Sequence, residues 1–309
     1  MISTLVIGGS GFVGSHLIPQ LVSTGRDVTV LARNPLPRCE LPSNVNYIQG
    51  NFSQAGLIGS LLDRHDEVVH LAYASVPNTS FDNPLGDLLQ NLPPTVQLFS
   101  EAAARGVKLL LVSSGGTVYG EAKGLPIQEI HPKNPISPYG VTKLTLENYA
   151  YLYSITHGLK FVCIRPSNAY GIGQKPFVGQ GFIATAIASA MRGLPINIFG
   201  ERGTVRDYIY VSDLASGIVS ALQYGHLSES YNLSSGVGLS NLEVIEKLRP
   251  LMLEIGCNLE LEFLPERKFD VKTNVLDSSK LHTDTGWKPV VDFNLGLNMT
   301  CDWLRKQSR

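Results

Sequence analysis

Short runs of β-branched and apolar residues recur through the first half of the chain, separated by longer stretches in which apolar positions return every three or four residues. The runs are "TLVI", "DVTVLA", "VNYIQ", "EVVHLA", "KLLLVSS" and "KFVCIRP", and their length and near-continuous apolar character predict strands covered on both faces. Between them "FVGSHLIPQLVSTG" predicts a helix that stops at Gly25. A second, "SPYGVTKLTLENYAYLYSITHG", starts at a Ser-Pro pair and stops at Gly158. Pro19 stands inside the first helix, where proline favours a kink. A further helix carrying Leu98, Ala102 and Arg105 is predicted to begin near Pro93 and Pro94, because proline fits a first turn far better than a helix interior. Strand and helix alternating in this order predict an α/β fold, a doubly wound parallel sheet with helices on both faces.

After Pro166 the rhythm becomes irregular. Short strand-like runs ("INIF", "RDYIYV", "YNLSS", "LELEFL") mix with helical ones ("FIATAIASAMRG", "SDLASGIVSALQYG", "NLEVIEKLRPLMLEIG"), which predicts a smaller α+β domain interleaved with the end of the sheet. The expected division is a nucleotide-binding domain over 1–166, with later segments near 205–225 returning to it, and a mainly substrate-binding domain over 167–309.

The glycines of "VIGGSGFVGSHL" lie directly behind the first strand and ahead of the first helix, at Gly8, Gly11 and Gly14. In that context glycine lets the backbone turn sharply and approach a pyrophosphate, whose charge then meets the positive end of the helix. The second strand ends "VTVLAR", with Ala32 and Arg33 where an acid would take the adenosine ribose hydroxyls. Without that carboxylate nothing repels a 2′-phosphate, and Arg33 is placed to pair with one, to stack on the adenine or to face solvent; NAD and NADP both stay open.

"SPYGVTK" places Tyr139 and Lys143 four residues apart, on one face of a helix. An isolated phenol is a poor base at neutral pH, but a neighbouring ammonium and a cationic nicotinamide favour the phenolate. Tyr139 could then exchange a proton with a substrate hydroxyl.

Charge and cysteine content narrow the partners. The 309 residues carry 25 basic and 26 acidic side chains, a net charge of −1, with neither sign gathered in a long run, which argues against a nucleic-acid face or a membrane surface. Cys39, Cys163, Cys257 and Cys301 lie far apart, without paired metal-ligand spacing. With no signal peptide or membrane-length apolar run, the expectation is a cytoplasmic protein with free thiols and no resident metal.

Taken together, "GGSGFVGSHL", "VVHLAYASVP", "SSGGTVYG", "PYGVTK", "IRPSNAYGIGQ", "GTVRDYIYVSDLA" and "LDSSKLHTDTGWKP" resemble an extended short-chain dehydrogenase/reductase of the NAD-dependent epimerase/dehydratase family, most closely the UDP-hexose 4-epimerases. The resemblance runs nearly end to end. It implies a Rossmann-type fold, a nicotinamide dinucleotide bound by Gly8, Gly11, Phe12, Val13, Gly14, Arg33, Asn51, Phe52, Leu71, Ala72, Tyr73, Ser113, Tyr139, Lys143 and Pro166, and Tyr139 and Lys143 as the catalytic pair. Asn51 stands where the family often has an aspartate near the adenine. The family Ser or Thr four residues before the tyrosine of "VYG" is Gly115 here, so the implied hydroxyl falls to Ser114 or Thr117.

On the substrate side the resemblance points to Asn168, Arg206 and Arg267, with the arginines as phosphate ligands, and to Ser75 and Asp270. Asn274 occupies the place of a bulky tyrosine in some glucose-specific members, which leaves room for a 2-N-acetyl group and a donor for it, or else the residue simply fills a loop. The implied activity is 4-epimerisation of a UDP-hexose or UDP-N-acetylhexosamine. An NADP-dependent 4-ketoreductase and a non-catalytic NADP-binding regulator are the alternatives. A homodimer built on helices near 94–105 and 138–157 is the implied assembly, with Leu144, Tyr151 and Leu152 as candidate interface or interior positions.

Overall fold

In the computed structural model, which describes residues 1–267 and 270–307, the six runs of the first half all become strands of one parallel sheet. The elements are β1 (Ser3–Ile7), α1 (Phe12–Ser23), β2 (Asp27–Ala32), β3 (Asn46–Gln49), α2 (Ala55–Leu62), β4 (Glu67–His70), α3 (Pro77–Asp82), α4 (Pro84–Arg105), β5 (Lys108–Val112), α5 (Pro138–His157) and β6 (Phe161–Pro166). They are followed by β7 (Asn168–Tyr170), α6 (Phe182–Met191), β8 (Ile196–Phe199), β9 (Val205–Tyr210), α7 (Val211–Tyr224) and β10 (Ser230–Leu233). The rest are β11 (Gly238–Ser240), α8 (Asn241–Glu254), β12 (Leu261–Leu264), β13 (Thr273–Asn274), α9 (Ser279–Thr285) and α10 (Phe293–Gln307).

The large sheet has the order β10-β6-β5-β4-β1-β2-β3. Its residues alternate between two cores, as the pleat requires. Val6, Val28, Val30 and Leu110 face one side with α1 and α7, and Leu5, Ile7, Leu109 and Leu111 face the other with Phe99 and Leu146 of α4 and α5. Both faces are therefore apolar, which is why the strands read as continuous runs.

Sheet membership does not follow chain order after Pro166. β9 pairs with β7, β11 and β13 in a small second sheet, whereas β10 returns to the edge of the large one beside β6. The tyrosines Tyr170, Tyr208 and Tyr210 join this small sheet to α6, α8 and α10 in a third core.

The predicted start of the third helix is wrong. α4 begins at Pro84, where the Asn83 side chain accepts from the Gly86 N–H at 2.8 Å, and runs through Pro93 and Pro94 to a left-handed Gly106. The carbonyls that lose their N–H partners to the two prolines belong to Leu89 and Gln90, both on the exposed side, where solvent is available to take the bond. Burial of Asp87, Asn91, Thr95, Leu98 and Ala102 along one face holds the helix together across them. α1 likewise runs unbroken through Pro19, which is exposed. α5 has the predicted ends, with Ser137 accepting from the Gly140 N–H at 3.1 Å and Gly158 left-handed.

Candidate active site

The carboxyl ends of the parallel strands meet a crevice between β1 and β4, where the strand order reverses, the place at which open α/β sheets bind ligands. Gly8 turns the chain there with φ +85°, and a Cβ on it would come within 2.9 Å of the Ala72 nitrogen. A Cβ on Gly14 would overlap the Gly9 carbonyl, so helix α1 packs on β1 at glycine distance. Gly11 caps α1 in extended conformation without a side-chain bond, leaving the first-turn N–H groups of Phe12, Val13 and Gly14 without a side-chain cap. Those donors and the helix dipole suit a pyrophosphate.

Around this turn, Arg33 is exposed just beyond β2, and Asn51 uses its Oδ1 to accept the Ser53 N–H at 3.1 Å. The Phe52 ring leans on His70 at 4.9 Å, and Leu71 packs against the core below. His16 Nε2 bonds the Ile172 carbonyl at 2.8 Å, bringing the segment after β7 against the start of α1.

Tyr139 and Lys143 lie in the first turns of α5, opposite this crevice. The Lys143 ammonium donates to the Val112 carbonyl at 2.8 Å and lies 4.0 Å from the centroid of the Tyr73 ring. That ring meets Tyr139 edge to face at 4.8 Å. Burial raises Tyr139 above an ordinary phenol and the charge of Asp87 adds to the rise, while a hydrogen bond with the Ser114 hydroxyl opposes it. Burial also lowers Lys143, to about 8. The phenol is therefore held in its neutral form, and a cation beside it favours the phenolate.

Of the two hydroxyls expected to replace the one missing at Gly115, Ser114 reaches the Tyr139 phenol. Thr117 Oγ1 is buried without a partner among the described residues. Gly115 itself is pressed against β6: its N–H donates to the Pro166 carbonyl at 2.9 Å, and a Cβ would overlap Leu276 Cδ1 and stand 2.8 Å from the Arg165 carbonyl oxygen. The Ser113 hydroxyl donates to Glu147, and Ser113 is buried.

On the other wall, β9 and β13 are in register at Arg206 and Asn274. Arg206 is mostly buried, which lowers its affinity for the proton, and it donates to the Val205 carbonyl at 2.9 Å. Arg267 is paired with Asp270 at 2.7 Å and lies 4.0 Å over the Phe199 ring. Asn274 does not offer its amide to a ligand: Nδ2 donates to the Gly115 carbonyl at 3.0 Å, and Oδ1 is the atom left without a partner among the described residues. Asn168 is exposed, with its Oδ1 beside Gly116. Ser75 gives its hydroxyl to Asp87.

A sequence model of the NAD dependent epimerase/dehydratase family matches residues 4–234. The chain belongs to that family. It is 32% identical over 315 residues to a UDP-glucose 4-epimerase of Mycolicibacterium smegmatis, with 99% of each chain covered. Its fold is similar to the crystal structure of UDP-glucose 4-epimerase with UDP-glucose from Thermotoga maritima, at a TM-score of 0.92, 31% identity and full coverage of both chains. A UDP-glucose 4-epimerase of Thermus thermophilus in complex with NAD gives a TM-score of 0.89 at 32% identity, covering 98% of this chain and 99% of that one.

Within this epimerase/dehydratase chain the uncapped first turn of α1 and the glycine approach at Gly8 are what a dinucleotide needs, so the residues present fit the cofactor in the family's name. Two groups escaped the sequence reading. Glu147 accepts from Arg165 at 2.6 Å in a buried pair, and Arg165 also donates to the Tyr119 hydroxyl at 2.9 Å, tying α5 to β6 and to the "VYG" loop. Its signal was its spacing, four residues beyond Lys143 on the same helix face. Asp87, 3% exposed under Tyr73, had none beyond being an acid on the buried face of α4.

Proposed function

We propose that the protein is a nucleotide-sugar 4-epimerase that binds NAD or NADP and acts on a UDP-hexose or UDP-N-acetylhexosamine. The observation that carries this reading is the Tyr139 phenol, influenced by the neighbouring Ser114 hydroxyl and with the Lys143 ammonium 5.6 Å from its ring. End-to-end similarity to proteins named UDP-glucose 4-epimerase supports the choice of substrate.

When bound, the nicotinamide supplies a reversible hydride acceptor, so oxidation at carbon 4 is undone within one turnover and no net redox change remains. Tyr139 Oη takes the proton of the 4-hydroxyl and later returns it. Ser114 holds that hydroxyl in line with the phenol, and the Lys143 ammonium favours the phenolate. Arg206 meets the pyrophosphate, joined by Arg267 when it exchanges Asp270 for phosphate, since a guanidinium fork serves either anion. Arg33, with no acid at the end of β2, leaves the ribose side open to both NAD and NADP. Asn274 Oδ1 offers an acceptor to the sugar, while its donor stays on Gly115.

Purified protein incubated with UDP-glucose or UDP-N-acetylglucosamine, without added reductant, should yield the 4-epimer by proton NMR. No epimer even with added NAD or NADP, together with NADPH loss on a 4-keto sugar, would replace the epimerase with a reductase.

A homodimer is proposed on the same footing. Leu85, Leu89, Tyr151, Leu152 and Ile155 stand 48–70% exposed on α4 and α5, apolar side chains that a second copy would cover, whereas Leu144 packs inside against the cluster of Val118 and Tyr119. Sedimentation equilibrium should give twice the chain mass; a monomer at micromolar concentration would remove the proposal. Among the described residues no helix is long and apolar enough to cross a membrane.

A further inference from the structure

Asp87, in the first turn of α4, is buried, and its carboxylate accepts hydroxyls from two other parts of the chain: Ser75 on Oδ1, and Thr142 at 2.7 Å and Tyr73 at 3.4 Å on Oδ2. Its own backbone carbonyl accepts from Asn91 Nδ2 at 2.7 Å, and Asn91 Oδ1 takes the Ala74 N–H at 2.9 Å. No ion pair among the described residues includes it. A buried carboxylate without a counter-ion is costly, and a neutral amide would fill the same space with less desolvation. The charge therefore calls for a use.

Tyr73 shows what the use is. Its hydroxyl is tied to Asp87, while its ring lies under the Lys143 ammonium and against the edge of Tyr139. Thr142, the residue before Lys143, fastens α5 to the same carboxylate. We propose that Asp87 is a positioning residue for the proton-transfer pair: it fixes the Tyr73 ring on which Lys143 and Tyr139 both rest, and its charge governs how readily the Tyr139 phenol gives up its proton. This rests on the epimerase reading for the role of Tyr139.

The other groups facing the pair do not compete with that charge. His70, at the end of β4, is pushed down to about 3 by burial and is neutral. Burial raises the phenol of Tyr73, and it raises the Cys163 thiol on β6, so both keep their protons. Glu147, on α5, is matched by Arg165. Asp87 and Lys143 are the opposed charges that remain, and Asp87 raises both Tyr139 and Lys143.

The sign of the test follows. Asp87→Asn removes an anion, so Tyr139 should ionise at lower pH, and the acid-side limb of kcat in the cofactor-loaded enzyme should move down by about half to one pH unit. Thr142→Val strips one donor from the carboxylate but keeps the charge, so it should lower stability and move the limb slightly up, opposite to Asp87→Asn. The same midpoint is read independently of turnover by the Cζ resonance of Tyr139 in tyrosine-labelled protein, identified by its loss in Tyr139→Phe. A limb and midpoint that stay at the wild-type pH in Asp87→Asn would overturn the proposal and leave Asp87 a packing group. If Asp87→Asn does not fold, Ser75→Ala strips one donor from the carboxylate and should move the midpoint up; no movement there would overturn it equally. A midpoint that moves in a protein without epimerase activity would retire the reaction and keep the positioning role.

Discussion

Tyr139→Phe is expected to lower turnover by about a hundred- to ten-thousand-fold, the usual share of a positioned acid-base group. The ring is retained, so its edge-to-face contact with Tyr73 survives, and Lys143 keeps its bond to Val112. What disappears is the oxygen that Ser114 holds and that exchanges the proton. The backbone cradle from Gly8 to Gly14 is untouched, so bound cofactor, measured by absorbance after release from the purified protein, should stay within about twofold of the wild type. Turnover within a few-fold of the wild type would place the acid-base group elsewhere.

The second large effect runs against intuition. Gly115→Ser supplies the hydroxyl that the family resemblance leads one to expect at this position, yet it should destabilise the protein by about 1–3 kcal/mol, the cost of forcing atoms into a packed interior. The new Cβ would overlap Leu276 Cδ1, and Leu276 is fully buried; behind it stands the Arg165 carbonyl, which cannot move without disturbing β6. The Gly115 carbonyl is also the acceptor for Asn274, so a shift of the loop would loosen β13. Denaturant unfolding checks the loss. In a Leu276→Ala background the same substitution should cost less, because the space is then open and the two sites are in contact. A stable, more active Gly115→Ser protein would show that the hydroxyl belongs at 115 and that Ser114 is not its substitute.

The strands, the glycine turn and the Tyr-Lys pair were legible in the sequence because each follows a local rule: a run covered on both faces, a turn needing no Cβ, two residues one helical turn apart. α4 was misread because the proline rule is local too, and it yields when the affected carbonyls face water and a buried face spans the break. The partners of Ser75, Ser113 and Asn274 lie 12, 34 and 159 residues away. Spacing identifies such residues as belonging near the site, but only the fold decides whether their polar atoms point into it. Arg267 shows the same limit, since its partner Asp270 is three residues away and either could have been taken as meeting a ligand alone.

The chain passes from the large sheet to the small one between Pro166 and Asn168, leaves β9 for the α7 helix at Val211, and returns from β10 to β11 between Leu233 and Gly238. No single cut therefore separates the part built on the large sheet from the part built on the small one. Laboratory recombination that swaps one contiguous block between relatives would import parts of both, so a change of sugar preference by gene shuffling calls for several short exchanged segments, each joined where the backbone crosses from sheet to sheet.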